Sequence, residues 1–163
     1  MKTKLKAILL KFFHSYVWLF LLLILFDQLT KLLAHFNTWN FAIIPNFFYF
    51  TYTRNTGAAW NMFDGNMAAL AVVSGVVGTG IIVFRVLYRH KLNTLKKILL
   101  AVILAGTWGN FIDRAFYKLF LGSEGVVDFI MFKFGNYIYP IFNVADICVT
   151  LGIISFAIVI AVE

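Results

Sequence analysis

Tyr16-Val17-Trp18-Leu19-Phe20-Leu21-Leu22-Leu23-Ile24-Leu25-Phe26 runs straight into Asp27-Gln28-Leu29-Thr30-Lys31, and that junction decides how the chain begins. Lys2, Lys4, Lys6 and Lys11 precede the apolar run, in the manner of the charged and apolar regions of a secretory signal. A cleavable signal would continue into a small-residue site, and a charged turn follows instead. The expectation is an uncleaved membrane span over about 15–35, near the ~20 residues that one helical crossing needs.

The remainder has the same character. Of 163 residues 62% are hydrophobic and 13% charged, and mean hydropathy is +0.88, far from the composition of soluble domains. Three further apolar runs, about 67–88, 95–117 and 142–162, predict an all-α membrane protein with four transmembrane helices in a single integral domain, residues 1–163. The net charge of +7 does not point to nucleic acid, because the Lys and Arg residues sit mainly at span ends rather than on one face of a soluble fold. Cys148 is the single cysteine and lies inside an apolar run, which excludes a disulfide framework and a cysteine-based metal site.

The segments between spans differ in kind. Residues 36–65 and 118–141 form two long loops, and in the first of them Phe48, Phe50 and Tyr52 alternate with Thr51 and Thr53. That period of two reads as a β-strand, followed by turn chemistry at Asn55-Thr56-Gly57. Its aromatics suit the membrane–water interface. Nine of the fourteen Lys and Arg residues (2, 4, 6, 11, 85, 89, 91, 96, 97) lie at the N-terminus or between spans two and three. Those sides are expected to be cytoplasmic, with both termini inside and the two long loops outside. Six of the seven acids, Asp27, Asp64, Asp113, Glu124, Asp128 and Asp146, then fall toward the outer side.

No His-Glu-x-x-His, Cys/His ligand set or phosphate loop is present, and His14, His35 and His90 stand outside any catalytic motif. No metal or cofactor is expected. What remains is a set of polar residues toward the outer ends of the spans. Asp27 and Lys31 share a helix face at i, i+4. Asn110 lies three before Asp113 and four before Arg114, and Asn143 lies three before Asp146. Within span two, Ala71/Gly75 and Ser74/Gly78 have the spacing of close helix packing. Polar groups of this kind also serve as glue between membrane helices, and for any single pair glue is the stronger reading. Convergence of several on one side favours a site.

Local partners sort the aspartates. Asp27 has Lys31 one turn on, and Asp113 has Arg114 beside it and Lys118 nearby. Asp128 and Asp146 have no basic residue within four positions on either side. A carboxylate beside a cation is held ionised, whereas one without a cation can keep its proton. Asp128 and Asp146 are therefore the candidates for acid/base work, as a pair sharing one proton.

Five motifs taken together resemble the lipoprotein signal peptidase (signal peptidase II) family: Asp27-Gln28-Leu29-Thr30-Lys31, Asn55-Thr56-Gly57-Ala58-Ala59-Trp60, Gly106-Thr107-Trp108-Gly109-Asn110-Phe111-Ile112-Asp113-Arg114, Val126-Val127-Asp128-Phe129 and Phe142-Asn143-Val144-Ala145-Asp146. The resemblance implies four transmembrane helices with a small extracytoplasmic β-cradle. It also implies an aspartyl endopeptidase of the bacterial plasma membrane that cleaves prolipoproteins before a diacylglyceryl-modified cysteine and is blocked by globomycin. Asp128 and Asp146 match the family's catalytic dyad. Asn55, Gly57, Asn110, Arg114 and Asn143 match substrate-positioning residues, and Asp27, Lys31 and Asp113 match structural polar ones. Diacylglyceryl-modified signal peptides and membrane lipid are the expected partners, and the protein is expected to be a monomer. Trp108 and the long stretch from Arg114 to Val126 depart from the family pattern. The alternative from another class is a small ion-coupled transporter or channel subunit using the same outer aspartates.

Overall fold

The computed structural model describes residues 12, 14–57, 66–122 and 124–163. The N-terminal lysines at 2, 4, 6 and 11, the Ala58-Ala59-Trp60 end of the second motif, and Asp64 lie outside them. Four helices, α1 (Val17–Asn37), α2 (Met67–Leu87), α3 (Thr94–Leu121) and α4 (Val144–Ala161), are long and apolar enough to cross a membrane. Their outward faces carry exposed apolar side chains, Leu21, Leu25, Val72, Val76, Leu151 and Ile158 among them. The fully buried side chains include Lys31, Asp27, Asp113, Asp128 and Asn143. That inversion of the soluble pattern is what hydrocarbon solvent demands.

Helix α3 is the hub and packs against each of the other three. Its row Ala101, Ala105, Gly106 and Gly109 lets backbones approach closely. A Cβ added to Gly109 would lie 2.6 Å from Asp27 Oδ2 and 3.1 Å from Ala145 Cβ. The small residues of α2 do something different from backbone-to-backbone packing. Gly78 receives the Trp108 ring and Gly75 the Phe111 ring, so a Cβ at Gly78 would meet Trp108 Nε1 at 2.7 Å. Trp108 thus points to α2, away from the cavity described below.

Asparagines start three of the helices. Asn66 caps α2, Asn93 caps α3, and Asn143 caps α4 in a reciprocal box with Asp146. Helix α3 runs to Leu121, past the expected end at 117, and Gly122 closes it at φ 65°. At the opposite end of the bundle Lys96 pairs with Glu163, joining the start of α3 to the end of α4.

A four-stranded antiparallel sheet, order β1-β2-β3-β4, lies at the end of the bundle away from that pair. Its strands are β1 (Asn40–Ile44), β2 (Phe48–Asn55), β3 (Val126–Phe134) and β4 (Tyr137–Ile138). The period-two reading identifies β2 but not its partners. Asp128, expected on a loop, belongs to β3. The residues around it, Val126 to Ile130, are all buried, so the strand shows no in/out alternation by which sequence could reveal it. Strands β2 and β3 pair Thr53 with Asp128 and Asn55 with Val126. Phe48 stacks on Phe132 at 4.9 Å between ring centroids, and Trp39 on Phe50 at 5.2 Å. This aromatic layer ties the sheet together beside the polar end of α4.

Candidate active site

The site begins at the N-terminus of α4. Asp146 is its third residue, and its Oδ2 accepts from the Asn143 backbone N–H (3.1 Å) while Asn143 Oδ1 accepts from the Asp146 N–H (3.0 Å). Asn143 has a second task. Its Nδ2 donates to Asp128 Oδ1 at 2.6 Å, so one residue touches both carboxyl groups that the sequence leaves without a cation. The remaining oxygens are served from other elements. Asn55, the last residue of β2, donates to Asp128 Oδ2 (3.0 Å), and Asn110 of α3 donates to Asp146 Oδ1 (2.7 Å). Gly57 returns its N–H to Asn55 Oδ1 at 3.0 Å, which holds that amide from behind.

Every carboxylate oxygen of the pair therefore accepts from a protein N–H, and each of those donors is neutral. Asp128 is only 2% exposed. Burial raises its carboxyl to about 7, and the neighbouring Asp146 charge adds to the effect. A carboxyl that carries its proton near neutral pH beside another carboxylate is equipped for general acid/base chemistry.

The pair faces a cavity of about 950 Å³. Asn55, Gly57, Asn110 and Arg114 line its polar part, and Phe48, Phe132, Phe142, Ile147 and Leu151 its apolar part. A smaller cavity of about 240 Å³ lies between α2, α3 and α4 and shares Asn110, Arg114, Asp146 and Thr150 with the first. Arg114 stands where the two meet. Its Nη1 donates to Ser74 Oγ at 3.0 Å, and its Nε has no hydrogen-bond partner among the described residues.

Asp27, Lys31 and Asp113 form a separate cluster. Lys31 Nζ lies 2.8 Å from Asp27 Oδ2 and 2.8 Å from Asp113 Oδ2. The partner of Asp113 is thus Lys31, from another helix, and not the adjacent Arg114, because successive residues on a helix point to different sides. Asp27, expected near the outer end of its span, sits at the middle of α1, where its Oδ1 accepts the Ala145 N–H of α4 at 2.8 Å. Gln28 binds the cluster from one side, donating to Asp113 Oδ1 (2.9 Å) and Asp27 Oδ2 (3.2 Å) and accepting from Tyr117 OH (3.0 Å). Neither Gln28 nor Tyr117 is singled out by sequence, because a neutral amide and a phenol give no sign there of the remote groups they bond. Arg54, next to Asn55, is another. It reaches Tyr52 OH (2.8 Å) and the Gly125 carbonyl (3.1 Å) and lines the cavity. The signal that sequence does hold for Asn143 is its Asn-x-x-Asp spacing, that of a helix-capping box.

Among the described residues no group of His, Cys, Asp and Glu has the arrangement of a metal site. A family model described as Signal peptidase (SPase) II matches residues 19–162. A lipoprotein signal peptidase of Clostridium acetobutylicum is 42% identical over 144 residues, covering 86% of this chain and 89% of its own length. One from Listeria monocytogenes is 38% identical over 151 residues, covering 91% and 94%. Two solved bacterial membrane enzymes share the fold. The first, solved by the in meso method at 2.3 Å, has a TM-score of 0.77 at 29% identity and covers 90% of this chain and 87% of its own. The second, at 1.9 Å, has a TM-score of 0.73 at 30% identity, with 90% and 92% covered. The match spans the four apolar helices and the sheet, and the chain belongs to the signal peptidase II family.

Proposed function

We propose that the protein is an aspartyl endopeptidase of the bacterial plasma membrane that removes signal peptides from prolipoproteins, cutting before the diacylglyceryl-modified cysteine. Asp128 and Asp146 are its catalytic pair. The observation that carries this reading is Asn143, which joins both carboxyl groups at the wall of the 950 Å³ cavity. The basic end of the bundle faces the cytoplasm with both termini, and the sheet and the pair face outward, in keeping with the distribution of Lys and Arg. The apolar walls of the cavity suit the substrate's hydrophobic segment and globomycin-type inhibitors, while the acyl chains remain in lipid beside the helices. The enzyme is read as a monomer, in keeping with a constellation that one chain completes.

In the resting enzyme the shared proton sits on Asp128, whose burial raises its carboxyl to about 7. A water between them attacks the scissile carbonyl and gives its proton to Asp146, while Asp128 hydrogen-bonds the carbonyl oxygen as charge grows there. Collapse breaks the C–N bond, and the proton held by the pair passes to the leaving amine of the cysteine. Asn55, Asn110 and Asn143 keep the carboxyl groups in place. Arg114, with its free Nε, is placed to bind a substrate carbonyl.

The test is cleavage of a diacylglyceryl-cysteine peptide by the purified enzyme in lipid. Asp128→Asn and Asp146→Asn are each expected to lose about 10²–10⁴-fold in kcat while remaining folded. Wild-type rates from both would remove the pair from the mechanism.

A further inference from the structure

The ion cluster and the aspartate pair are joined by one bond. Lys31 Nζ donates to Asn110 Oδ1 at 3.0 Å, in addition to its two contacts with Asp27 and Asp113. Lys31 is fully buried, and an ammonium has three donors and no acceptor. It is held by charge between Asp27 and Asp113, and the hydrogen bond it donates goes to Asn110. We propose that Lys31 is a positioning residue for the Asp128/Asp146 pair, acting by fixing which end of the Asn110 amide faces Asp146.

The two ends of a carboxamide are nearly the same size and differ only in being acceptor or donor. If Asn110 turned over, its oxygen would stand against Asp146 Oδ1, an acceptor against an acceptor. Only Oδ1 can face an ammonium, so Lys31 forces Nδ2 toward Asp146, where it donates at 2.7 Å. Asn143 Nδ2 adds a weaker donor to the same Asn110 oxygen at 3.2 Å. Gln28 holds Asp27 and Asp113, and those carboxylates hold the ammonium in turn. Simple helix glue needs only the Asp27–Lys31–Asp113 contacts. The bond to Asn110 adds little to holding α1 against α3, yet it sets the polarity of the donor on Asp146.

This inference rests on the reading that Asp128 and Asp146 are catalytic, and its test separates the two. Lys31→Met alone would leave two buried carboxylates without a cation, so the variant compared is Lys31→Met with Asp113→Asn, which keeps the charge of the cluster at that of wild type. Its reference is Asp113→Asn alone, which retains the ammonium. Cleavage of the diacylglyceryl-cysteine peptide is measured per folded, monodisperse protein. Relative to its reference, the double variant is expected to lose on the order of 10–100-fold in kcat, the range found when the partner that orients an active-site ligand is removed. KM should change less than about threefold, because the substrate-binding surface is untouched. In an Asn110→Ala background the same lysine replacement should cost at most about twofold more, since the residue through which it acts is gone. An unchanged kcat in the folded double variant, or a full further loss in the Asn110→Ala background, overturns the role assigned to Lys31. Loss of activity in Asp128→Asn and Asp146→Asn alongside either result would show that the pair stands and only the orientation fails.

Discussion

Asp27 and Asp113 meet a lysine, whereas among the described residues Asp128 and Asp146 meet amides and backbone N–H groups. Asp27, Asp113 and Asp128 are buried and Asp146 is partly so, and the two pairs lie one asparagine apart. In the first, a shared ammonium sits between the two carboxylates, and the contacts run between helices α1, α3 and α4. Such an arrangement holds elements together and has no reason to give up a proton. In the second, no ion pair among the described residues reaches either carboxylate, and both line an open cavity. The contrast teaches that a buried carboxylate becomes chemically available when its hydrogen bonds are satisfied but its charge is not.

The comparison breaks most visibly at Lys31. Lys31→Met should destabilise the protein by roughly 3–5 kcal/mol, the usual cost of leaving buried charge uncompensated. Thermal unfolding in detergent reads this directly, and adding Asp113→Asn should recover part of it. A neutral result would mean that the cluster does not anchor the helices.

Next in size is a pH effect confined to the other pair. Asp128 has its carboxyl raised from 3.8 to about 7 in the fold, so the folded state holds the proton more tightly than the unfolded chain. The stability this contributes is complete below about pH 4 and is lost as pH rises through about 7. Wild type should therefore lose stability over that window relative to Asp128→Asn, and cleavage should decline above about pH 7 as the shared proton leaves. Parallel stability curves for the two proteins would argue that Asp128 is ionised throughout.

The smallest effect separates the two tasks of Asn143. Asn143→Ser keeps a good helix cap but cannot reach Asp128, so stability should fall by only about 1 kcal/mol while kcat falls clearly. Equal losses in a variant that remains capped would show that the cap was the residue's main contribution.

Much of this was legible before any coordinates. The four apolar runs, the shared face of Asp27 and Lys31, and the lack of a cation beside Asp128 and Asp146 are properties of local spacing, and local spacing survives folding. What could not be read depends on long-range pairing. The lysine that serves Asp113 comes from a different helix. Strand β3 hides because it is buried on both faces, and β1, though beside the legible β2, is exposed along its whole length and lacks alternation as well. Gln28 and Arg54 gain meaning only when remote carbonyls and hydroxyls arrive beside them. Trp108, conspicuous in the sequence as a departure, proves to fill the space that Gly78 leaves on α2.

The bond from the Ala145 N–H to Asp27 Oδ1 also has a consequence for the order in which the protein is made. Chains emerge from the ribosome N-terminus first, so the carboxylate that receives α4 is in the membrane long before α4 exists. Asp128 waits on its strand without Asp146 or Asn143 until α4 is threaded and docks. If Asp128 and Asp146 are the catalytic pair proposed above, a nascent chain without α4 is proteolytically silent, and docking of α4 arms it.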